Sequence, residues 1–234
     1  MKKKRPMKLF VIEGIDGSGK STQIKLLNEY LTQKGYKCEY LHFPRTDAPF
    51  YGELIARFLR GEFGLLNDVD PYLVALLYAG DRKDASGLIR NWLKEKNIVL
   101  LDRYTYSNIA YQGAKIFDNK ERDRLIEWIL SLEFSHFAIP QPDLNIFLDV
   151  PLSFTRRKLG SERKGSDRDY LGGSRDIHEG SLSFQMRVRD VYLKVAESGN
   201  RMAVVNCSDK NGDMLAPEKI FEQVLEIITE RKML

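Results

Sequence analysis

Cysteine is nearly missing from this chain: there are two in 234 residues, Cys38 and Cys207, far apart and with no second cysteine beside either. That excludes a disulfide framework and a cysteine-rich zinc site, and both thiols read as core residues of buried strands in a reducing compartment. Long apolar runs are missing too. No stretch reaches the roughly 20 residues of a membrane span, and the segment behind the basic start is too short for a signal-peptide core. The sequence therefore predicts a cytoplasmic protein with no membrane partner. A strong charge imbalance is the third absence: 37 Lys and Arg stand against 33 Asp and Glu, a net charge of +4. Lys2, Lys3, Lys4 and Arg5 carry that much by themselves. The excess belongs to a basic tail, residues 1–7, and the balanced remainder argues against a nucleic-acid partner. No linker or repeat divides residues 8–234, which are expected to form one domain.

Glycine is present where it carries meaning. Residues 14–22 read Gly-Ile-Asp-Gly-Ser-Gly-Lys-Ser-Thr, a complete G-x-x-x-x-G-K-[ST] loop between the apolar run Leu9-Phe10-Val11-Ile12 and a helical pattern. Gly14, Gly17 and Gly19 let successive backbone N–H groups curl around an anion. Asp16, Ser18 and Thr22 complete a cradle for a nucleotide triphosphate. Lys20 adds a point charge at the β- and γ-phosphates, Ser21 offers a hydroxyl to Mg²⁺, and the helix N-terminus adds its partial positive charge. ATP and Mg²⁺ are the cofactors expected. A GTP-dependent switch would need a guanine-reading N-K-x-D, and Asn119-Lys120-Glu121-Arg122 fails at its fourth position.

Five short β-rich runs recur, Lys8 to Glu13, Lys37 to His42, Ile98 to Leu101, Leu144 to Val150 and Met202 to Asn206, with helical patterns between them. Continuous apolar strands alternating with helices predict an α/β fold with a parallel sheet covered on both faces. Helices are expected from Lys20 to Lys34, from Asp70-Pro71 toward Lys96, and over residues 119–132 and 216–232; Gly80 and Gly87 weaken the second of these. The stretch from Gly160 to Ser183 is crowded with charged and small residues and holds almost nothing apolar. Its Arg163, Arg168 and Arg175 suit a lid closing over phosphates. Ile98-Val99-Leu100-Leu101 runs into Asp102, a carboxylate placed to organise Mg²⁺. Arg103 follows it, and Phe43-Pro44-Arg45 ends the second strand likewise, so two guanidiniums reach the rim where a parallel sheet binds ligands.

With these residues in view, the chain resembles the thymidylate kinase family almost end to end. The resemblance is carried by Glu13 through Gln23, Phe43-Pro44-Arg45, Tyr78-Ala79-Gly80-Asp81-Arg82, Asp102-Arg103-Tyr104 and Ser107-Asn108-Ile109-Ala110-Tyr111-Gln112-Gly113. It implies a three-layer P-loop kinase fold with a five-stranded parallel sheet and a mobile lid over about 160–183. It also implies a homodimer through packed helices, a cis Phe43–Pro44 peptide, and phosphorylation of dTMP to dTDP by ATP for dTTP synthesis. A kinase for another monophosphate (dUMP, UMP or dCMP) is the alternative.

By the same resemblance Asp16 would meet the sugar 3′-hydroxyl, and Arg45 and Arg103 the 5′-phosphate. Tyr78 would stack on thymine, Arg82 would donate to its 4-carbonyl and Asn108 would meet the N3 edge. Tyr111 would lie beneath the 2′ carbon, and Ser107 and Gln112 would complete the substrate-binding segment. Some members carry a basic residue inside the phosphate loop, whereas this chain has Gly17 and Ser18, so the transition-state cation is expected from Arg163, Arg168 or Arg175. A free Asn108 amide can present either end, which leaves base discrimination to Arg82.

Overall fold

The computed structural model of the chain describes residues 8–95, 97–159, 181–199 and 202–234. Five strands, β1 (Lys8–Glu13), β2 (Cys38–His42), β3 (Ile98–Asp102), β4 (Leu144–Asp149) and β5 (Met202–Asn206), form one sheet in the order β2-β3-β1-β4-β5. Every pairing is parallel. β1 and β3 are buried along almost their whole lengths because both sheet faces are covered. On β1, Phe10 and Ile12 face a large core with helices α1 (Lys20–Gln33), α5 (Asn119–Leu130), α7 (Leu182–Glu197) and α8 (Pro217–Glu230). Leu9 and Val11 alternate into a second core with Ala85 and Ile89 of helix α3 (Pro71–Lys94). Each such aliphatic side chain contributes about 1.5–3 kcal/mol when taken fully out of water.

Helix α3 runs through both glycines. It starts where Asp70 accepts hydrogen bonds from Tyr72 N and Leu73 N, with Pro71 in the first turn. Gly80 is there because a Cβ at that position would come within 2.2 Å of the Tyr51 ring on helix α2 (Tyr51–Leu59). Helix α4 (Thr105–Gly113) is buried on every side. Between α5 and β4 the chain makes a π-helical turn, Ser131–His136, in place of the α-helix expected to run to 132. Helix α6 (Leu152–Leu159) follows β4.

Several boundaries move. β2 begins at Cys38, β3 takes in Asp102, and β4 stops at Asp149 because its partner β5 ends at the paired Asn206. Cys207 is buried just beyond β5 and not within it, and Cys38 is only half-buried at the mouth of the edge strand. The last residues of the expected lid belong to α7: the Ser181 hydroxyl caps it by accepting from Phe184 N at 3.3 Å. The basic tail and Arg163, Arg168 and Arg175 lie outside the described residues.

Candidate active site

The phosphate loop follows β1 at the carboxyl edge of the sheet. Gly17 and Gly19 turn it through left-handed conformations, φ 74° and 87°. Gly14 admits the Ser18 hydroxyl, which a Cβ would meet at 2.3 Å; that hydroxyl is buried with no hydrogen-bond partner among the described residues. Lys20, in the first turn of α1, donates from Nζ to the carbonyls of Gly14 (3.3 Å) and Ile15 (3.1 Å). Burial, and next to it the charge of Arg103, pushes its ammonium down to about 8 against the pull of Asp102, Asp16 and Glu13. It is therefore still charged at neutral pH. Ser21 and Thr22 are exposed beside it.

Asp102 ends β3 almost wholly buried. Burial alone would raise its carboxyl; the hydrogen bond from His42 and the charge of Lys20 outweigh that and hold it below the usual range. His42 Nδ1 lies 3.4 Å from Oδ2, while Oδ1 has no partner among the described residues. His42 was not anticipated as part of the site, although its place at the end of the edge strand is registered against Asp102.

Arg103 turns the chain from β3 into α4 with φ 67°, a strained conformation for a side chain of this size. Its Nη2 donates to Asp16 Oδ1 at 2.6 Å and to the Tyr111 hydroxyl at 3.2 Å. The Tyr111 hydroxyl donates to Asp16 Oδ2 at 2.8 Å, and Gln185 Nε2 of α7 donates to the same oxygen at 2.9 Å. Gln185 is an addition to the expected set; a fully buried amide beside the apolar stripe of Phe184, Val188 and Val191 is the signal that marks it.

Ser107 stands behind this group. Its hydroxyl donates to Glu13 Oε2 at 2.6 Å and receives Arg103 Nη1 at 3.2 Å, which makes it a support of Arg103. Glu13 also accepts from the backbone N–H groups of Tyr104 and Ser107, closing the N-terminus of α4 from a different element. Burial raises the Glu13 carboxyl despite those bonds.

On the α3 side the Arg45 Nε bonds Asp81 Oδ1 at 2.8 Å and its Nη2 bonds Asp84 Oδ2 at 2.6 Å. The Phe43–Pro44 peptide before it is cis. Tyr78 is half-buried against the cluster of Ile55, Phe58, Leu59 and Val74. Arg82 is fully buried and makes a bidentate pair with Glu133 of the π-helical turn, Nε to Oε2 and Nη2 to Oε1, both 2.6 Å. Asn108 Nδ2 donates to the Ala75 carbonyl and to Glu133 Oε1, each at 3.0 Å. The expectation that this amide presents either end is therefore corrected: two acceptors fix it. Gln112 is buried nearby on α4, its Oε1 without a hydrogen-bond partner among the described residues.

Parallel strands that bring a glycine loop with its lysine to the same edge as a strand-end carboxylate and clustered arginines define a class, the P-loop phosphotransferases. Sequence relatives narrow it. The sequence model of the thymidylate kinase family matches residues 12–216. A probable thymidylate kinase of Thermococcus kodakarensis is 33% identical over 223 residues, covering 93% of this chain and 95% of that protein. The thymidylate kinase of Mycobacterium tuberculosis is 31% identical over 210 residues, covering 89% and 95%. The solved thymidylate kinase of Candida albicans superposes with a TM-score of 0.71 at 25% identity, covering 97% of this chain and 93% of that one. The chain belongs to the thymidylate kinase family, enzymes that phosphorylate dTMP.

Proposed function

We propose that the chain transfers the γ-phosphoryl of ATP to the 5′-phosphate of dTMP, with Mg²⁺ on the donor phosphates, and that the residues gathered at the sheet edge divide this work. One observation carries the reading: Asp16 of the phosphate loop is bonded directly to Arg103 and Tyr111 of the facing wall, so donor and acceptor cradles meet at one carboxylate. Lys20 with the backbone of Gly14 to Thr22 holds the β- and γ-phosphates. Arg45, oriented by Asp81 and Asp84, and Arg103 take the acceptor phosphate. Asp16 meets the sugar 3′-hydroxyl, Tyr78 stacks on the base, and Arg82 and Asn108 read its edge. Tyr111 leaves no room for a ribose 2′-hydroxyl.

A magnesium ion suits the site. The buried Oδ1 of Asp102, without a hydrogen-bond partner among the described residues, and the exposed Ser21 hydroxyl are hard oxygen donors, and an ion held also by phosphates and water needs few protein ligands. Among the described residues no group of three or more His, Cys, Asp or Glu could hold a metal alone. When bound, the ion neutralises charge on the transferred group. No general base is required, since a phosphate monoester with a second pKa near 6 is already largely ionised. Catalysis then rests on alignment and charge neutralisation by Lys20, Arg45, Arg103 and a lid arginine.

The reading extends to a homodimer: α3 exposes Leu73 and Leu76 one turn apart, an apolar strip suited to a second copy. A cytoplasmic location agrees with the absence, among the described residues, of any helix long and apolar enough to cross a membrane. Phosphoryl transfer from ATP to a panel of monophosphates tests the assignment. The expected order of kcat/KM is dTMP above dUMP, which loses the contact of one methyl at about 1–3 kcal/mol, with UMP and dCMP well below. Equal use of dCMP or UMP would refute the base-pocket roles.

A further inference from the structure

The carboxylate of Glu133 has no place in phosphoryl transfer, yet it sits where three buried side chains converge. It receives Arg82 twice at 2.6 Å, the Thr105 hydroxyl at 2.8 Å and Asn108 Nδ2 at 3.0 Å. None of the four residues exposes more than 2% of its surface. The segment directly after the π-helical turn that carries it is tied to α3 by Lys83 on the Phe137 carbonyl and by Arg90 on the Ala138 carbonyl.

The two partners of Asn108 decide its orientation by their chemistry. The Ala75 carbonyl can only accept, and the Glu133 carboxylate, paired with a guanidinium, offers only acceptor oxygens. Both Nδ2 hydrogens are therefore committed. What remains is Oδ1, buried and with no hydrogen-bond partner among the described residues. Turning the amide over would set that oxygen against two acceptors in a dry site and forfeit two hydrogen bonds.

We infer that Glu133 is a positioning residue for base selection: it holds the Asn108 amide with its oxygen outward, so that the site accepts a base bearing N–H at position 3 and rejects one with a bare nitrogen there. Thymine has that N–H and cytosine does not. The inference rests on the reading of Asn108 as a base-facing group. Arg82 is aligned by the same carboxylate, and the two base-reading side chains take their geometry from one oxygen pair.

The test is the ratio of kcat/KM for dTMP to that for dCMP, measured with the full chain as wild type, Glu133→Gln, Glu133→Asp, Asn108→Ala and the double variant Glu133→Gln/Asn108→Ala. Glutamine can put a donor where Asn108 needs an acceptor, and the amide orientation is then held by the Ala75 carbonyl alone. Glu133→Gln is expected to lower the ratio about tenfold, roughly the factor carried by one displaced hydrogen bond, with KM for ATP unchanged. Glu133→Asp, which keeps the acceptors one methylene short, should fall between it and wild type and carries the test if the glutamine variant does not fold. In the Asn108→Ala background, Glu133→Gln should leave the ratio unchanged. Equal losses on both substrates, with the ratio intact in Glu133→Gln or in its substitute, would show a merely structural carboxylate and overturn the inference. A further fall in the double variant would place the effect on Arg82 and overturn it too. If Asn108→Ala itself leaves the ratio unchanged, the base-facing reading of Asn108 fails first.

Discussion

Lys115 follows the end of α4 with its Nζ buried, without a hydrogen-bond partner among the described residues, 4.8 Å from the centre of the Phe58 ring. Burial pushes its ammonium down from 10.5 to about 7, against the weaker pull of Asp70. At pH 7 the amine is half charged in the folded chain and fully charged in the unfolded one. The unfolded state binds more protons throughout the window from about 7 to 10.5, so this residue's contribution makes the fold more stable as pH rises. A lysine depressed over that window costs at most about 4 kcal/mol at pH 7, at roughly 1.4 kcal/mol per pH unit. Partial solvent access and the attraction of Phe58, about 0.5–2 kcal/mol, reduce the figure. Lys115→Met keeps the apolar stem and removes the charge. It should stabilise the chain by about 1–3 kcal/mol at pH 7, with a higher urea midpoint and an unchanged m-value. The gain over wild type should shrink with each pH unit and be gone near 10.5. A variant less stable than wild type at pH 7, or a gain that ignores pH, would refute the placement of an unpaired ammonium in an apolar site.

Two expectations concern the chemistry. Lys20→Ala should fold normally, since thermal melting reads a core that the side chain barely supports, yet lose about 10²- to 10³-fold or more in kcat, the worth of one transition-state charge contact; near-native turnover would end the phosphate-loop mechanism. With Gly17 and Ser18 in the loop, the triple variant Arg163→Ala/Arg168→Ala/Arg175→Ala should lower kcat far more than dTMP affinity measured by calorimetry. Normal turnover in that variant would send the search for the cation elsewhere.

The sheet was legible because β1, β3 and β4 are buried on both faces and therefore read as mainly apolar runs, broken within β4 by Asn145; parallel pairing follows from the helices between them. Helices α2 and α4 were not. α2 begins after Phe50, whose backbone takes φ 60° and whose side chain caps nothing, so no start signal precedes it. α4 is buried all round, with Thr105, Ser107, Asn108 and Gln112 turned inward so that no solvent face marks it, and its N-terminus is closed by Glu13 from β1, a partner 91 residues away from Tyr104. The motifs named the residues at the sheet edge but not what holds them. Glu133 falls four residues after Ile129 and eight after Leu125, a carboxylate in an apolar stripe, and that irregularity was the available clue. Its meaning depends on Arg82, which local pattern cannot bring near. Asn108 illustrates the same limit: its identity is in the sequence, and its orientation is a property of the fold.

On the proposed roles, the Asp16 carboxylate would link the two halves of the reaction. It rides on the loop that grips the donor phosphates, while its oxygens are held by side chains of α4, α7 and the turn between β3 and α4. A loop that shifts to take up phosphates must carry Arg103, Tyr111 and Gln185 with it or break those bonds. If the site works as proposed, occupancy on one side would change affinity on the other, by a factor that reciprocity makes identical in both directions. On the proposed roles, donor and acceptor would report each other's presence through this single side chain.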